Sequence, residues 1–212
     1  MREAGINVVA IGFESPIEEE LMAMNKRIKP GDMLELTRTF RKHGFLIHGM
    51  FIFGYPMEDG VPFSMPAKER VKRFSGFIKK AELDTIQVLL PGPLAGTRLR
   101  KRLNLQNRLY PLSDVGWEYY DGNFPLFEPD KPLTAEEIHD SVKKIMGNFY
   151  HFKHVFNIGL NIFYFPALVF FMHNIIYGWR IWYRAWRNDL VRFGGWITIK
   201  EWLAKFRKDP FS

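Results

Sequence analysis

Three short runs rich in β-branched and apolar residues recur about forty residues apart: Ile6–Phe13 (INVVAIGF), Leu46–Phe53 (LIHGMFIF) and Thr85–Leu90 (TIQVLL). Such continuous runs suit strands buried on both faces. Between them the spacing turns helical. Ser15 with Glu18 fits a capping box, and Pro16 fits the first helical position, so a helix is predicted over Pro16–Met24. Asp32 and Glu35 form a second capping signal before Met33, Leu36 and Phe40, and that helix closes at His43-Gly44. A third helix is predicted over Pro66–Ala81, with Val71, Phe74, Phe77 and Ile78 inward. A basic fourth opens at Gly96-Thr97 and runs to Leu109. Strands alternating with helices make βα units and a parallel sheet. Right-handed crossovers then place the loops that follow the strands on one side, where α/β proteins bind ligands.

Those loops are Glu14-Ser15, Gly54-Tyr55-Pro56 and Pro91-Gly92-Pro93. Ser15 suits a helix N-cap, a ligand contact, or both. Glu14 ends a buried strand and needs hydrogen-bond donors, which a polar ligand could supply. Gly54 and Gly92 are turn residues on any reading.

Composition narrows the chemistry. The 212 residues include no cysteine, so this chain alone builds no disulfide, thiolate nucleophile, zinc–cysteine site or cysteine-held iron–sulfur cluster. With 47% hydrophobic residues it is not a disordered chain. The net charge of +7 is uneven: residues 151–212 carry 9 basic and 3 acidic residues, 17 of the 34 aromatics and five of the six tryptophans. That asymmetry points to an anionic partner. The N-terminus shows no h-region or cleavage site, so no signal peptide is expected. There is no phosphate-binding glycine loop and no nucleophile elbow. His43, His48, His139, His151 and His154 offer no paired metal-site spacing. His151 and His154, at i and i+3, fit cations at a helix end, and His173 fits a satisfied polar group within an apolar run.

Thr134 and Glu137 form another capping box, which predicts a helix over Ala135–Phe152. Before it lies an aromatic, acidic loop with Trp117, Tyr119, Tyr120, Asp121, Phe124, Phe127 and Glu128. This loop either shapes a pocket mouth or packs over the sheet end. Val155–Trp179 holds no Lys, Arg, Asp or Glu, which is long enough to span a bilayer, although Asn157, Asn161, Pro166, His173 and Asn174 interrupt it. Trp179, Trp182 and Trp186 follow at i, i+3 and i+7 with Arg180, Arg184 and Arg187 beside them, a pattern suited to an interfacial helix. Interfacial or re-entrant, spanning, and buried against further protein are the three readings of this segment. Nucleic-acid binding uses the same residue types, but the apolar run favours lipid.

In order, AIGFESP, MNK near residue 25, HGMFIFGYP and TIQVLLPGPLAGT resemble the later strands of the radical S-adenosylmethionine (radical SAM) barrel, closest to the cobalamin-binding type. The resemblance covers about residues 1–110, and WEYYDGNFPLFEPDKPLTAEE and YRAWRNDLVRFGGW resemble the C-terminal extension of one branch. It implies that Glu14 and Ser15 match the Glu/Gln-Ser pair after the fourth strand, whose first residue contacts S-adenosylmethionine. Gly54, Tyr55 and Pro56 match the Gly-x-Pro element beside ribose and adenine. Pro91, Gly92, Pro93 and Gly96, with Thr97, match the element that borders the adenine. Met50 stands where many relatives carry an acidic residue, a departure that weakens ribose recognition by that strand. The larger departure is that the family's 4Fe–4S cluster needs a Cys-x3-Cys-x2-Cys loop after the first strand, and this chain has none.

The resemblance thus implies an α/β fold: a partial radical SAM-type (βα) barrel comprising the last three strands, then a mostly α, aromatic and basic extension. The expected segments are 1–110 (partial barrel), 111–150 (capping loop and helix) and 151–212 (helical tail). The expected function is that of the C-terminal part of a radical SAM enzyme, contributing part of the S-adenosylmethionine pocket and inactive alone. The 4Fe–4S cluster and cobalamin are implied only for the complete protein. The expected partners are the missing N-terminal half, on the same or another chain, and an anionic membrane surface bound through residues 155–212, with no nucleic acid. The expected location is the cytoplasm or the inner face of the membrane. The alternative is a non-catalytic, membrane-surface-associated module.

Overall fold

The structure is a computed structural model that describes residues 1, 3–58, 61, 63–151, 156 and 179–205. These fall into two compact units, Met1–Met146 with Lys205, and Gly147–Ala204.

The first unit is mixed α/β. Its elements are β1 (Val8–Glu14), α1 (Glu18–Ala23), α2 (Pro30–Lys42), β2 (Leu46–Ile52), α3 (Ala67–Ala81), β3 (Thr85–Leu89), α4 (Arg98–Leu105) and α5 (Ala135–Phe149), which runs on past its edge. The strands form one parallel sheet in the order β1-β2-β3. Each strand pairs with the next in sequence, so right-handed crossovers put both helical connections on the same face. Aromatic packing agrees. Phe13 of β1 stacks on Phe51 of β2 at 5.5 Å between ring centroids, and both meet Phe77 of α3. Phe74 of α3 packs against Phe51 and Phe53. Gly49 belongs to this layer because a Cβ there would lie 2.5 Å from Leu83 Cδ1.

The alternation of side chains along each strand sends the next residues to the other face. Registers align Ala10, His48 and Thr85 in one row and Gly12, Met50 and Gln87 in the next. These side chains, with Ile52 and Leu89, are half-exposed on β2 and β3, and Val8, Ala10 and Gly12 of β1 are exposed. The expectation of a strand buried on both faces therefore fails for Ile6–Phe13. Its apolar residues alternate between a helix-covered face and an open one, and Val8 is 43% exposed.

Several helix starts also differ from their sequence signals. Ser15 does not box with Glu18; Ile17 is the N-cap of α1, and Ser15 Oγ accepts from the Ile17 N–H at 3.1 Å. The helix assigned to Asp32 and Glu35 begins earlier, at Pro30, and Asp32 accepts the Lys29 N–H from inside the first turn. A proline at N1, with its fixed φ, sets that start. Thr97 caps α4 by accepting from Arg100 N–H, but the helix stops at Leu105, not Leu109, because Leu109 turns to bridge Phe127. The Thr134–Glu137 box forms reciprocally, at 3.0 and 3.1 Å, and α5 ends at Phe149.

After α4 the aromatic loop packs on itself. Leu103, Val115, Leu126 and Phe127 form a small core with Tyr110, Tyr119 and Tyr120 around it. Gly122, at φ +82°, lies against Leu89, where a Cβ would come within 3.2 Å, and its carbonyl accepts from Leu90 N–H.

In the second unit, α6 (Trp179–Lys205) is a 27-residue helix. Phe193 stacks on Trp196, Lys200 lies 5.1 Å from the Trp196 ring centroid, and Asp189 pairs with Arg192 at 2.7 Å. His151 Nδ1 lies 2.9 Å from the Asn148 carbonyl, at the end of α5. His154 and nearly all of the uncharged Val155–Trp179 stretch lie outside the described residues. Among the described residues, no helix is long and apolar enough to cross a membrane.

Candidate functional site

The three loops foreseen from the sequence leave the sheet at its carboxyl edge, each held differently. After β1 the backbone bulges, and Glu14 adopts φ 63°. This left-handed conformation, uncommon for a residue with a Cβ, folds the carboxylate back over Gly12 on the open face. Its partner there is Lys26, at 3.0 Å. Ser15 takes the opposite course. It is fully buried, and its hydroxyl donates to Glu20 while accepting from Ile17.

Glu20 and Arg70 are the feature that sequence reasoning missed. Both are about 1% exposed or less, paired at 2.5 Å, with Arg70 Nε donating to the Met65 carbonyl and the Phe63 ring 4.8 Å away. Burial pushes the Glu20 carboxyl up to about 7, against the opposing pull of Arg70 and Ser15. Burial likewise lowers the Arg70 value, and Glu20 opposes that. A guanidinium keeps its proton at ordinary pH, so the pair is held by a fixed cation whose partner bears the desolvation. A signal existed: Arg70 sits on the apolar stripe with Phe74 and Phe77, and Glu20 sits beside Ile17 and Leu21. A charge on a buried stripe calls for a buried countercharge.

At the second loop Gly54 turns the chain at φ 76°, packed against Ile138 of α5. Tyr55 is half-buried, and burial raises its phenol. Pro56 is buried, and its carbonyl accepts from Arg102 Nη2 at 2.9 Å. At the third loop Pro91 and Pro93 are buried and Gly96 is exposed at φ 80°. The Pro93 carbonyl accepts from Arg100, which also donates to Tyr120 Oη at 3.0 Å and lies over Trp117. Met50 is on the open face between Gly12 and Gln87, and the row beneath it holds His48, 2.8 Å from Thr85 Oγ1. Burial lowers the His48 value, which favours the neutral ring.

The structure therefore brings Glu14 and Met50 onto one open face, and sets Tyr55 in a separate cavity of about 350 Å³ with residues that follow β1 and β3. It turns Ser15 inward, away from both.

No protein-family model matches the chain. Over 150 residues it is 29% identical to an uncharacterized methyltransferase of Pyrococcus horikoshii. The alignment covers 71% of this chain and 30% of that relative, so the chain spans under a third of the relative's length.

The residues present do not fit an iron–sulfur cluster. The chain has no thiolate, and no group of three His, Asp or Glu residues able to hold a metal ion occurs among the described residues. Any such cluster needs ligands from outside these 212 residues. The carboxyl edge does fit a polar organic cofactor in its polar groups: the half-buried Glu14 carboxylate beside the Lys26 ammonium, and the half-buried Tyr55 phenol.

Proposed function

We propose that this chain is the C-terminal sector of a radical SAM (βα) barrel of the cobalamin-binding type, that it contributes part of an S-adenosylmethionine pocket to a methyl-transfer enzyme, and that it is inactive alone. One observation carries the reading: among the described residues, the crossover helices α2 and α3 cover one face of the parallel sheet, and the other face presents Glu14, His48, Met50, Thr85 and Gln87 half-exposed. Doubly wound sheets are covered on both faces, whereas a barrel sector turns its second face to the lumen. The similarity to an uncharacterized methyltransferase, of which the alignment covers only 30%, supports both the incompleteness and the chemistry.

In this reading Glu14 reaches the cofactor from the open face, while Gly54–Pro56 and Pro91–Gly96 border the nucleoside. S-adenosylmethionine, when bound, supplies the methyl or deoxyadenosyl group. The role of this chain is to orient the cofactor and exclude water. Ser15 serves by position: its bonds to Glu20 and Ile17 fix the turn that presents Glu14.

The test is Glu14→Ala in the complete enzyme. Removing a charged hydrogen-bonding group should weaken S-adenosylmethionine binding about ten-fold, and unchanged affinity would overturn the assignment.

A further inference from the structure

The cavity that holds Tyr55 draws on residues that follow each of the three strands. Ala23, Met24 and Asn25 come from the end of α1, Tyr55 and Glu58 from the loop after β2, and Arg98, Leu99 and Arg102 from α4. Its volume of about 350 Å³ suits a small ligand, since a water occupies about 30 Å³ in the liquid. Two of its side chains are arginines, and one is incompletely used. Arg102 donates from Nη2 to the Pro56 carbonyl, while its Nε is buried without a hydrogen-bond partner. A buried donor on a cation is costly to leave unmatched, and its natural complement is an oxygen anion that can also take a second N–H of the fork. Arg98 stands at the first turn of α4, where the helix dipole also favours negative charge. The one carboxylate on the wall, Glu58, is exposed.

We propose that this cavity is an oxyanion site, taking the carboxylate or phosphate of a small ligand between Arg102, Arg98 and Tyr55. The inference needs only these charges and donors. It goes beyond the S-adenosylmethionine reading, with which it shares Tyr55, and stands if Glu14 proves to have no role there.

The direct probe is the Arg102 Nε–H resonance of the whole chain, followed by ¹⁵N NMR. Inorganic phosphate and acetate are titrated separately, with chloride at matched ionic strength as the control for screening. The expected result is a saturable downfield shift with phosphate, acetate or both; phosphate alone indicates a phosphorylated ligand and acetate a carboxylate. Arg98→Gln, which leaves the Arg102–Pro56 bond intact, should weaken binding about ten-fold. Arg102→Lys, read from the Tyr55 amide, should weaken it at least as much, because it keeps the charge but loses the fork. Glu58→Gln should tighten it. The proposal is overturned if neither anion gives saturation below about 100 mM, if chloride reproduces the shift, or if Arg98→Gln binds like the parent chain.

Discussion

The two faces of the three-stranded sheet are built from the same strands yet obey different rules. On the helix side, Phe13, Ile47, Phe51, Ile86 and Val88 are at most 1% exposed, and even Gly49 has no room for a methyl group. On the other side His48, Met50 and Ile52 of β2 and Thr85, Gln87 and Leu89 of β3 are half-exposed. A parallel sheet is normally covered on both faces, because its strands bury side chains above and below. The contrast teaches that the helix layer buries the apolar half of these strands, while the second face keeps polar side chains half-exposed among the described residues. Its polar rows end at Glu14, held over Gly12 by a left-handed backbone.

If the helix side carries the stability, disturbing it should do the most damage. Arg70→Met leaves the Glu20 carboxyl buried without its cation and should destabilise the chain by about 3–5 kcal/mol. The loss should depend on pH. A folded value near 7 against an ordinary 4.5 means the folded state holds its proton longer. That contribution is fully present below the unfolded value and is lost as pH rises through the folded one. Without Arg70 the folded value climbs further, so urea denaturation should show the smallest defect near pH 5 and the largest above pH 7. An equal loss at both would mean that Glu20 does not carry the effect. Next comes Gly49→Ala, whose Cβ would collide with Leu83 and Phe51. Overpacking should lower stability by about 1–3 kcal/mol, visible as a lower midpoint in the same titration. On the open face, Met50→Ala should cost under about 1 kcal/mol because the site is half-exposed; a cost as large as that of Gly49→Ala would erase the distinction between the faces. Thr134→Ala should cost about 1 kcal/mol through the lost cap of α5. If the basic, aromatic tail docks on lipid, deletion of residues 155–212 abolishes flotation with anionic vesicles.

The sequence pattern reported the βα order, the crossover helices and the three loops because each follows from local rules: strand runs, caps, and glycine or proline punctuation. It misjudged β1 because a run such as VVAIGF looks the same whether one face or both are covered; only the neighbouring layers decide. It misplaced the role of Ser15 because three carboxylates, Glu18, Glu19 and Glu20, follow it, and the choice of Glu20 depends on Arg70, fifty residues away. The Arg98–Arg102 cavity was hidden for a related reason. On a basic helix those arginines look like a solvated face, and only the fold shows that Pro56 and Tyr55 close over one of them.

We propose above that this chain is one sector of a larger barrel. It is tested most directly by native mass spectrometry of the endogenous product, captured through the Trp179–Lys205 segment. The account predicts a species well above 25.0 kDa, either one longer polypeptide or a complex whose second chain carries the cysteine motif. A lone 25.0 kDa species whose β1 amides are protected from hydrogen exchange as fully as those of β2 would contradict it, since the open face and edge would then need no partner.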